Sequence, residues 1–252
     1  MKIIVCVKQI LDPRGITVNR KAEKVFVNRE EYMLDPASKA ALEVAEQIKT
    51  KDAAVEIIAL SAGPERVDEA LREALARGAD RAILIRADSN PDPTVIANLL
   101  AAAINRLGSI DLVLCGDRSL DTGSGEIAAR LAEALDWPQI LRAARAEVKG
   151  GRLAAIVQHS DFVAVEAPLP AVVSISAEAF SGQYANGWRL MDAYTRWQVE
   201  TWITEDLALS EDDLRPTTTK KEDAFPPERQ PGTKVRNVKE LVMLLKQEKI
   251  IA

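Results

Sequence analysis

Leu112-Val113-Leu114-Cys115-Gly116 runs into Asp117-Arg118-Ser119-Leu120-Asp121-Thr122-Gly123-Ser124-Gly125 and then into Glu126-Ile127. The opening residues are an apolar run of the length of a buried strand. The middle is small, hydroxylated and acidic, and a helical pattern follows from about Gly125 to Leu135. Strand, glycine-rich turn and helix in that order point to an α/β sheet whose loops gather at the carboxyl ends of its strands.

The rest of the first 140 residues repeats the alternation. Ile3 to Val7, Val55 to Leu60 and Ala82 to Ile85 are further strand candidates, apolar almost throughout, as expected of strands covered on both faces. Asp35-Pro36 supplies an N-cap and a proline in the first helical turn, followed by Ala41, Val44, Ala45 and Ile48 on one face. A second helix aligns Val67, Ala70, Leu71, Ala74 and Leu75 and stops at Gly78. A third begins at Pro93-Thr94 and carries Ile96, Leu99, Leu100, Ala103 and Ile104. A hairpin is expected at Thr17 to Arg20 and Val25 to Asn28. After Trp137-Pro138-Gln139 the pattern turns to strands, among them Leu153 to Val157, Phe162 to Val165 and Ala171 to Ile175.

The fold expected is α/β: an open, mostly parallel, doubly wound sheet of the Rossmann-like, adenine-nucleotide-binding kind, with an added β-hairpin region and an extended C-terminal arm. Residues 1–209 form the α/β domain. Residues 210–252 form the arm, rich in Pro, Thr, Lys and acidic residues up to Gly232. It ends in an amphipathic helix bearing Val238, Leu241, Val242, Leu245 and Ile250, and an arm of this kind is expected to dock on a partner.

Composition narrows the function. The 252 residues are 47% hydrophobic and 28% charged, with a net charge of −5, so the basic footprint of a nucleic-acid binder is missing. No apolar run approaches the roughly 20 residues that span a bilayer, which argues against direct membrane insertion. Met1 to Val7 reads as a strand rather than a signal peptide, and a cytoplasmic protein is expected. Cys6 and Cys115 lie in apolar runs without metal-ligand spacing, and His159 is the single histidine, so a zinc site is not expected. A P-loop is absent, as is GxGxxG after the first strand. No nucleophile–base constellation suggests catalysis. Asp161 and Glu166 read as surface-facing strand residues.

In doubly wound sheets, ligands bind beyond the carboxyl ends of the strands where strand order reverses. Cys6-Val7-Lys8, Ala62-Gly63-Pro64 and Gly116 to Gly125 end up there. Glycines and Ser124 before a helix let backbone N–H groups approach a phosphate.

These segments, in order, resemble the electron-transfer flavoprotein β-subunit family along nearly the whole chain. Val7-Lys8-Gln9-Ile10 with Asp12-Pro13 is similar to the family's N-terminal signature. Asp35-Pro36, Ala62-Gly63-Pro64, Leu75 to Ala82, Asp111 to Gly116, Leu135-Asp136-Trp137-Pro138-Gln139 and Pro170 to Ser174 follow in the family's order. Pro226-Pro227-Glu228-Arg229 and Gly232-Thr233-Lys234-Val235 complete the set.

The resemblance implies the small subunit of a heterodimer. The α subunit would hold a redox-active FAD, and this chain would bind AMP, or a second FAD in electron-bifurcating members. It would pass electrons between a donor dehydrogenase and an acceptor oxidoreductase, as a carrier subunit rather than an enzyme. With a second FAD, flavin-based bifurcation from NADH is the alternative. Carried over by position, the nucleotide contacts are Cys6, Asp35, Pro36, Ala37, Ser38, Ala62, and Gly116, Asp117, Arg118, Ser119, Leu120, Asp121, Thr122, Gly123, Ser124, Gly125, Glu126 and Ile127. Phosphate is expected on the Thr122–Gly125 turn.

Three departures from the family pattern stand out. Asp117-Arg118 replaces a basic or amide pair, and Asp117 is expected to point outward with Arg118 inward. Gln158-His159-Ser160-Asp161-Phe162 replaces the usual hairpin signature. Gly187, followed by Trp188, stands where an anchoring Leu for acyl-CoA dehydrogenases is usual. Trp188, Trp197 and Trp202 crowd together with Tyr184 and Tyr194, either as core or subunit packing or as a docking surface for an electron donor. Rivals from other classes are a stand-alone adenine-nucleotide-binding regulator of the universal-stress type and an adenylate-forming or pyrophosphatase enzyme. The first would lack the arm, and the second would need a Ser-Gly-Gly run after the first strand that Lys8 to Asp12 does not offer.

Overall fold

In a computed structural model the chain is described at residues 1–87, 92–158, 160–179, 183–219, 224–227 and 232–251. His159, Glu228 and Arg229 therefore lie outside the described residues. Two compact units result: Met1–Thr17 with Val25–Thr219, and Val18–Lys24 with Lys220–Ala252.

The chain begins with β1 (Lys2–Cys6), β2 (Gln9–Leu11), β3 (Ile16–Asn19), β4 (Lys24–Val27) and β5 (Tyr32–Leu34). β3 and β4 pair as the expected ribbon, while β2 and β5 make a second small antiparallel pair. Then α1 (Pro36–Lys51), β6 (Glu56–Gly63), α2 (Asp68–Ala76), β7 (Arg81–Arg86), α3 (Pro93–Leu107), β8 (Leu112–Gly116) and α4 (Ile127–Leu135) alternate along the chain. After them come β9 (Gln139–Lys149), β10 (Arg152–Gln158), β11 (Phe162–Pro168), β12 (Ala171–Ile175), α5 (Gly187–Thr195) and β13 (Glu200–Trp202).

Among the described residues these strands build a nine-stranded sheet in the order β11-β10-β9-β12-β8-β1-β6-β7-β13. From β9 through β12, β8, β1, β6 and β7 to β13 each neighbouring pair is parallel. β9, β10 and β11 are antiparallel to one another. Strands after β1 are added on one side as β6 and β7, and β8 then returns to the other side. Strand order therefore reverses between β1 and β8.

Period-two alternation explains the two cores. Ile3 and Val5 of β1, Ile57 and Ala59 of β6 and Leu114 of β8 face Leu42, Val44, Leu71 and Leu75 of α1 and α2. Ile4, Cys6, Ile58, Leu60, Val113 and Cys115 face Leu99, Leu100, Ile104 and Leu131 of α3 and α4. Each strand is apolar at successive positions because both faces are covered.

The segment before Thr219 lies along α3. Asn98 Nδ2 donates to the Asp213 carbonyl at 2.8 Å, and Thr218 N donates to Asp92, the N-cap of α3, at 2.9 Å. In the second unit, α6 (Val238–Gln247) starts at Asn237, whose Oδ1 accepts from Glu240 N at 3.0 Å. α6 has no buried residue, and Val238, Met243 and Ile250 are exposed. Among the described residues, no helix is long and apolar enough to cross a membrane.

Helix α1 approaches the sheet closely at Gly116. A Cβ there would sit 2.6 Å from Ala37 Cβ and 2.9 Å from its carbonyl carbon, well inside the ~3.5–4.0 Å of ordinary carbon contacts. Gly116→Ala should push the start of α1 off the sheet and cost about 1–3 kcal/mol in urea denaturation. Gly187→Ala, with nothing within 4 Å of its Cβ position, is the control and should cost none.

Candidate functional site

The crevice at the reversal point is built from the exits of β1 and β8 and the starts of α1 and α4. Cys6 and Cys115 are register partners on adjacent strands, both free and both buried. Hydrogen bonding with Cys115, together with burial, pushes the Cys6 thiol well above its ordinary range. Cys6 is thus a protonated packing group under the crevice rather than a nucleophile, and Cys115 is buried beside it.

Asp35 organises what lies above them. Its carboxylate, 2% exposed, accepts from Ala37 N at 2.9 Å and Ser38 N at 3.3 Å, capping α1. Its other oxygen accepts from Leu120 N at 2.8 Å, fixing the middle of the loop after β8. The Asp35 N–H donates to the Lys8 carbonyl at 2.9 Å, and Lys8 N donates to Ser38 Oγ at 3.0 Å. One buried side chain thereby joins the exit of β1, the start of α1 and the β8 loop. Burial raises the Asp35 pKa, against the three backbone donors that favour the charged form.

The loop is also folded on itself. Gly123 N donates to the Ser119 carbonyl at 2.9 Å, and the Ser119 and Thr122 hydroxyls are hydrogen-bonded to each other at 2.8 Å. Gly123 and Gly125 take φ of +66° and +69°, which glycine adopts without strain. Lys8 reaches across from β1, its Nζ 2.7 Å from Asp121 Oδ1 and 3.2 Å from Ser119 Oγ. Burial pushes Asp121 up, but the Lys8 and Ser119 hydrogen bonds and the Lys8 charge together hold it below its ordinary value.

The structure reverses the orientation expected for Asp117 and Arg118. Asp117 is 9% exposed and turned under the loop, its Oδ1 accepting from Arg118 N at 2.7 Å. Its backbone N–H is held by the Ile175 carbonyl at 2.9 Å, which continues the β8–β12 ladder by one residue and leaves the side chain facing inward. Arg118 is the exposed member, and its Cγ lies 3.0 Å from the Cβ position of Gly125.

Of the residues expected at the site, Cys6, Asp35 to Ser38 and Gly116 to Thr122 are brought together. Gly123 to Ile127 lead from them into α4. Ala62 stands on the other side of β1, two residues beyond Leu60, the register partner of Cys6. The sequence places Lys8 at the crevice as the end of Cys6-Val7-Lys8, but its tie to Asp121 emerges only in the structure. The signal available was a lone cation directly after the first strand, facing an acidic loop.

The two helices that start here differ. α1 is capped by Asp35, whereas α4 begins after Glu126 with no side-chain cap. The amides of its first turn are therefore left to a ligand or to water, and a helix N-terminus favours an anion. With the small and hydroxyl residues of the loop, this end of the crevice fits a nucleotide phosphate. Two other surface cavities, of about 430 and 530 Å³, are lined by Glu65, Arg66, Arg86 and Thr201 and by Asn98, Arg106, Leu209 and Asp213. Neither is lined by residues of this crevice, where the helix start and hydroxyls converge, so the crevice is the better candidate. Among the described residues no group of three or more His, Cys, Asp or Glu side chains is placed to hold a metal ion.

The aromatic segment divides. Trp197 stacks with Arg189 at 4.8 Å and Trp202 with Arg106 at 4.5 Å, as packing groups. Tyr184 and Trp188 are 99% and 78% exposed.

Comparison with known proteins places the electron transfer flavoprotein domain on residues 24–202. The chain is 30% identical to the caffeyl-CoA reductase–Etf complex subunit CarD of Acetobacterium woodii, over 83% of this chain and 81% of that one. It is 34% identical to the electron transfer flavoprotein subunit beta of Syntrophomonas wolfei, over 69% of each chain. It is 30% identical to the subunit beta of Bacillus subtilis, over 98% of each.

The shared carboxylate sets an expectation. Asp35→Ala should lose the α1 cap and the Leu120 tether together, costing about 1–3 kcal/mol in chemical denaturation. Because the folded-state pKa of Asp35 is raised, the folded chain binds more protons than the unfolded one just above the ordinary carboxylate range. Stability therefore falls as pH rises through that window. Asp35→Asn should remove this contribution to the slope, and an unchanged slope would show that the carboxylate is not desolvated.

Proposed function

Since the chain belongs to the electron transfer flavoprotein family as a β subunit, we propose that its β1–β8 crevice holds an adenine nucleotide while a larger α subunit carries the electron-shuttling FAD. The chain is the small subunit of an electron carrier rather than an enzyme in its own right. The observation that carries the nucleotide reading is the uncapped start of α4 at the topological switch point, beside a loop pinned by Asp35 and Lys8.

In this reading Gly116 to Ile127 wrap the nucleotide. The backbone amides of Ser124 to Ile127 and the hydroxyls of Ser119, Thr122 and Ser124 take the phosphate. Cys6, Ala37, Ser38 and Ala62 border the base and ribose, with Asp35 and Pro36 setting the start of α1. Asp117 is turned under the loop and Asp121 is tied to Lys8, so neither carboxylate stands free against an anion. AMP in this position would be structural. A second FAD would supply a redox-active ring of its own, and flavin-based bifurcation belongs to that version. The small loop residues leave room for a pyrophosphate. Likeness to a subunit of a reductase–Etf complex favours a partner reductase held in one assembly. A cytoplasmic location accords with two unpaired, buried thiols.

Nucleotide and flavin content of the purified heterodimer tests the reading. One flavin and one AMP per dimer, or two flavins, would each support it and choose between its versions. One flavin with no further adenine nucleotide would overturn it.

The exposed apolar side chains of α6 support a second element of the proposal, that the arm from residue 210 docks on the α subunit. Truncation after Thr219 spares the segment along α3 and removes α6. Co-purification with the α subunit should then be lost, and an intact dimer would refute the docking role.

A further inference from the structure

Strand β9 contains a backbone irregularity that the fold does not require to be arginine. Its register against β12 passes from Val173↔Ile140 to Ile175↔Ala143, so Leu141 and Arg142 together face Ser174. This is a β-bulge, and Arg142 occupies it at φ +59°. Glycine is the residue at home in that left-handed conformation, and side chains held there concentrate at ligand sites. The bulge is secured on both sides: Arg142 N donates to the buried Ser174 Oγ at 2.8 Å, and Ser176 N donates to the Ala143 carbonyl at 3.0 Å.

The register says where this arginine stands. Ala143 is level with Ile175, and Ile175 is level with Gly116, the first residue of the nucleotide loop. Ser174 is level with Cys115. By alternation from Val172, Ser174 lies on the α3–α4 face of the sheet. α4 packs against both β9 and β12, and it runs antiparallel to the strands it joins. Its uncapped start is therefore at the carboxyl-end level that Arg142 shares. The side chain is exposed, and among the described residues the guanidinium makes no ion pair or side-chain hydrogen bond. Of the cations at the loop, Lys8 is engaged with Asp121 and Arg118 lies beside Asp117.

We propose that Arg142 is a phosphate-binding residue of the adenine-nucleotide site, an uncommitted cation held at the level of the α4 start by the strained bulge. The proposal rests on the nucleotide reading of the β1–β8 crevice and adds a contact from a strand outside the loop. It gives a role to an arginine that stands where glycine would be less strained. AMP and FAD share the chemistry that it would meet, a phosphate oxygen able to accept two N–H groups from the guanidinium.

The test uses the complex with its α subunit, stripped of exchangeable nucleotide but retaining the α-subunit flavin. AMP, FAD and phosphate-free adenosine are titrated by calorimetry into wild type, Arg142→Gly and Arg142→Lys. Arg142→Gly should weaken the phosphate-bearing ligand that wild type binds about tenfold or more and leave adenosine unchanged, with a melting temperature equal to or above wild type. Arg142→Lys should recover part of the loss. Undiminished affinity in Arg142→Gly, or an equal loss for adenosine, would overturn the role of Arg142 while leaving the site reading intact. A wild-type complex that binds neither AMP nor FAD would overturn both.

Discussion

The crevice depends on how one buried carboxylate divides its two oxygens. Asp35 gives one to the first turn of α1 and the other to the Leu120 amide, 85 residues downstream in the loop after β8. Taking a carboxylate out of water is costly, and burial raises its pKa. Three backbone donors offset that cost only while helix and loop are both in place. The arrangement couples the two sides of the topological switch point: if either α1 or the loop moves, a buried acceptor is left unpaired. Gly116, against which α1 closes to a distance no side chain would permit, is the steric half of the same constraint.

Charge within the loop is largely settled inside the protein. Asp117 is turned under its own backbone with Arg118 nearby, and Asp121 is neutralised by Lys8. What remains for a ligand is polar and positive in character: hydroxyls, backbone amides and the uncapped start of α4. An acidic sequence therefore presents an anion-compatible surface, a result that net charge alone obscures.

The doubly wound sheet was legible because each parallel strand is covered on both faces and written as an apolar run, with caps such as Asp35-Pro36 marking the helices between. β9 leaves a weak trace in the sequence, because Gln139–Lys149 carries Ala and Arg where β-branched residues are usual. Pairing with β12 and β10 fixes it as a strand regardless of propensity. α5 leaves as little trace: it buries only Ala193, and its anchor is Arg189, which donates to the carbonyls of Leu75 in the last turn of α2 and of Ala79 just beyond it. Such tethers leave no periodic trace. At the site, the loop and the start of α1 could be found from residue types, but the inward turn of Asp117 follows from a single ladder bond to Ile175. Lys8 acquires its role from a residue more than a hundred positions away.

A nucleotide held between β1 and β8 would lie against the pinned loop and the start of α4. Amide hydrogen exchange on the α-subunit complex, stripped and then reloaded with AMP or FAD, tests this most directly. Slowed exchange confined to 116–127 and the adjoining ends of β1 and α1 is the expected result. Unchanged exchange there on reloading, or protection centred instead on Glu65 to Glu69, would contradict it.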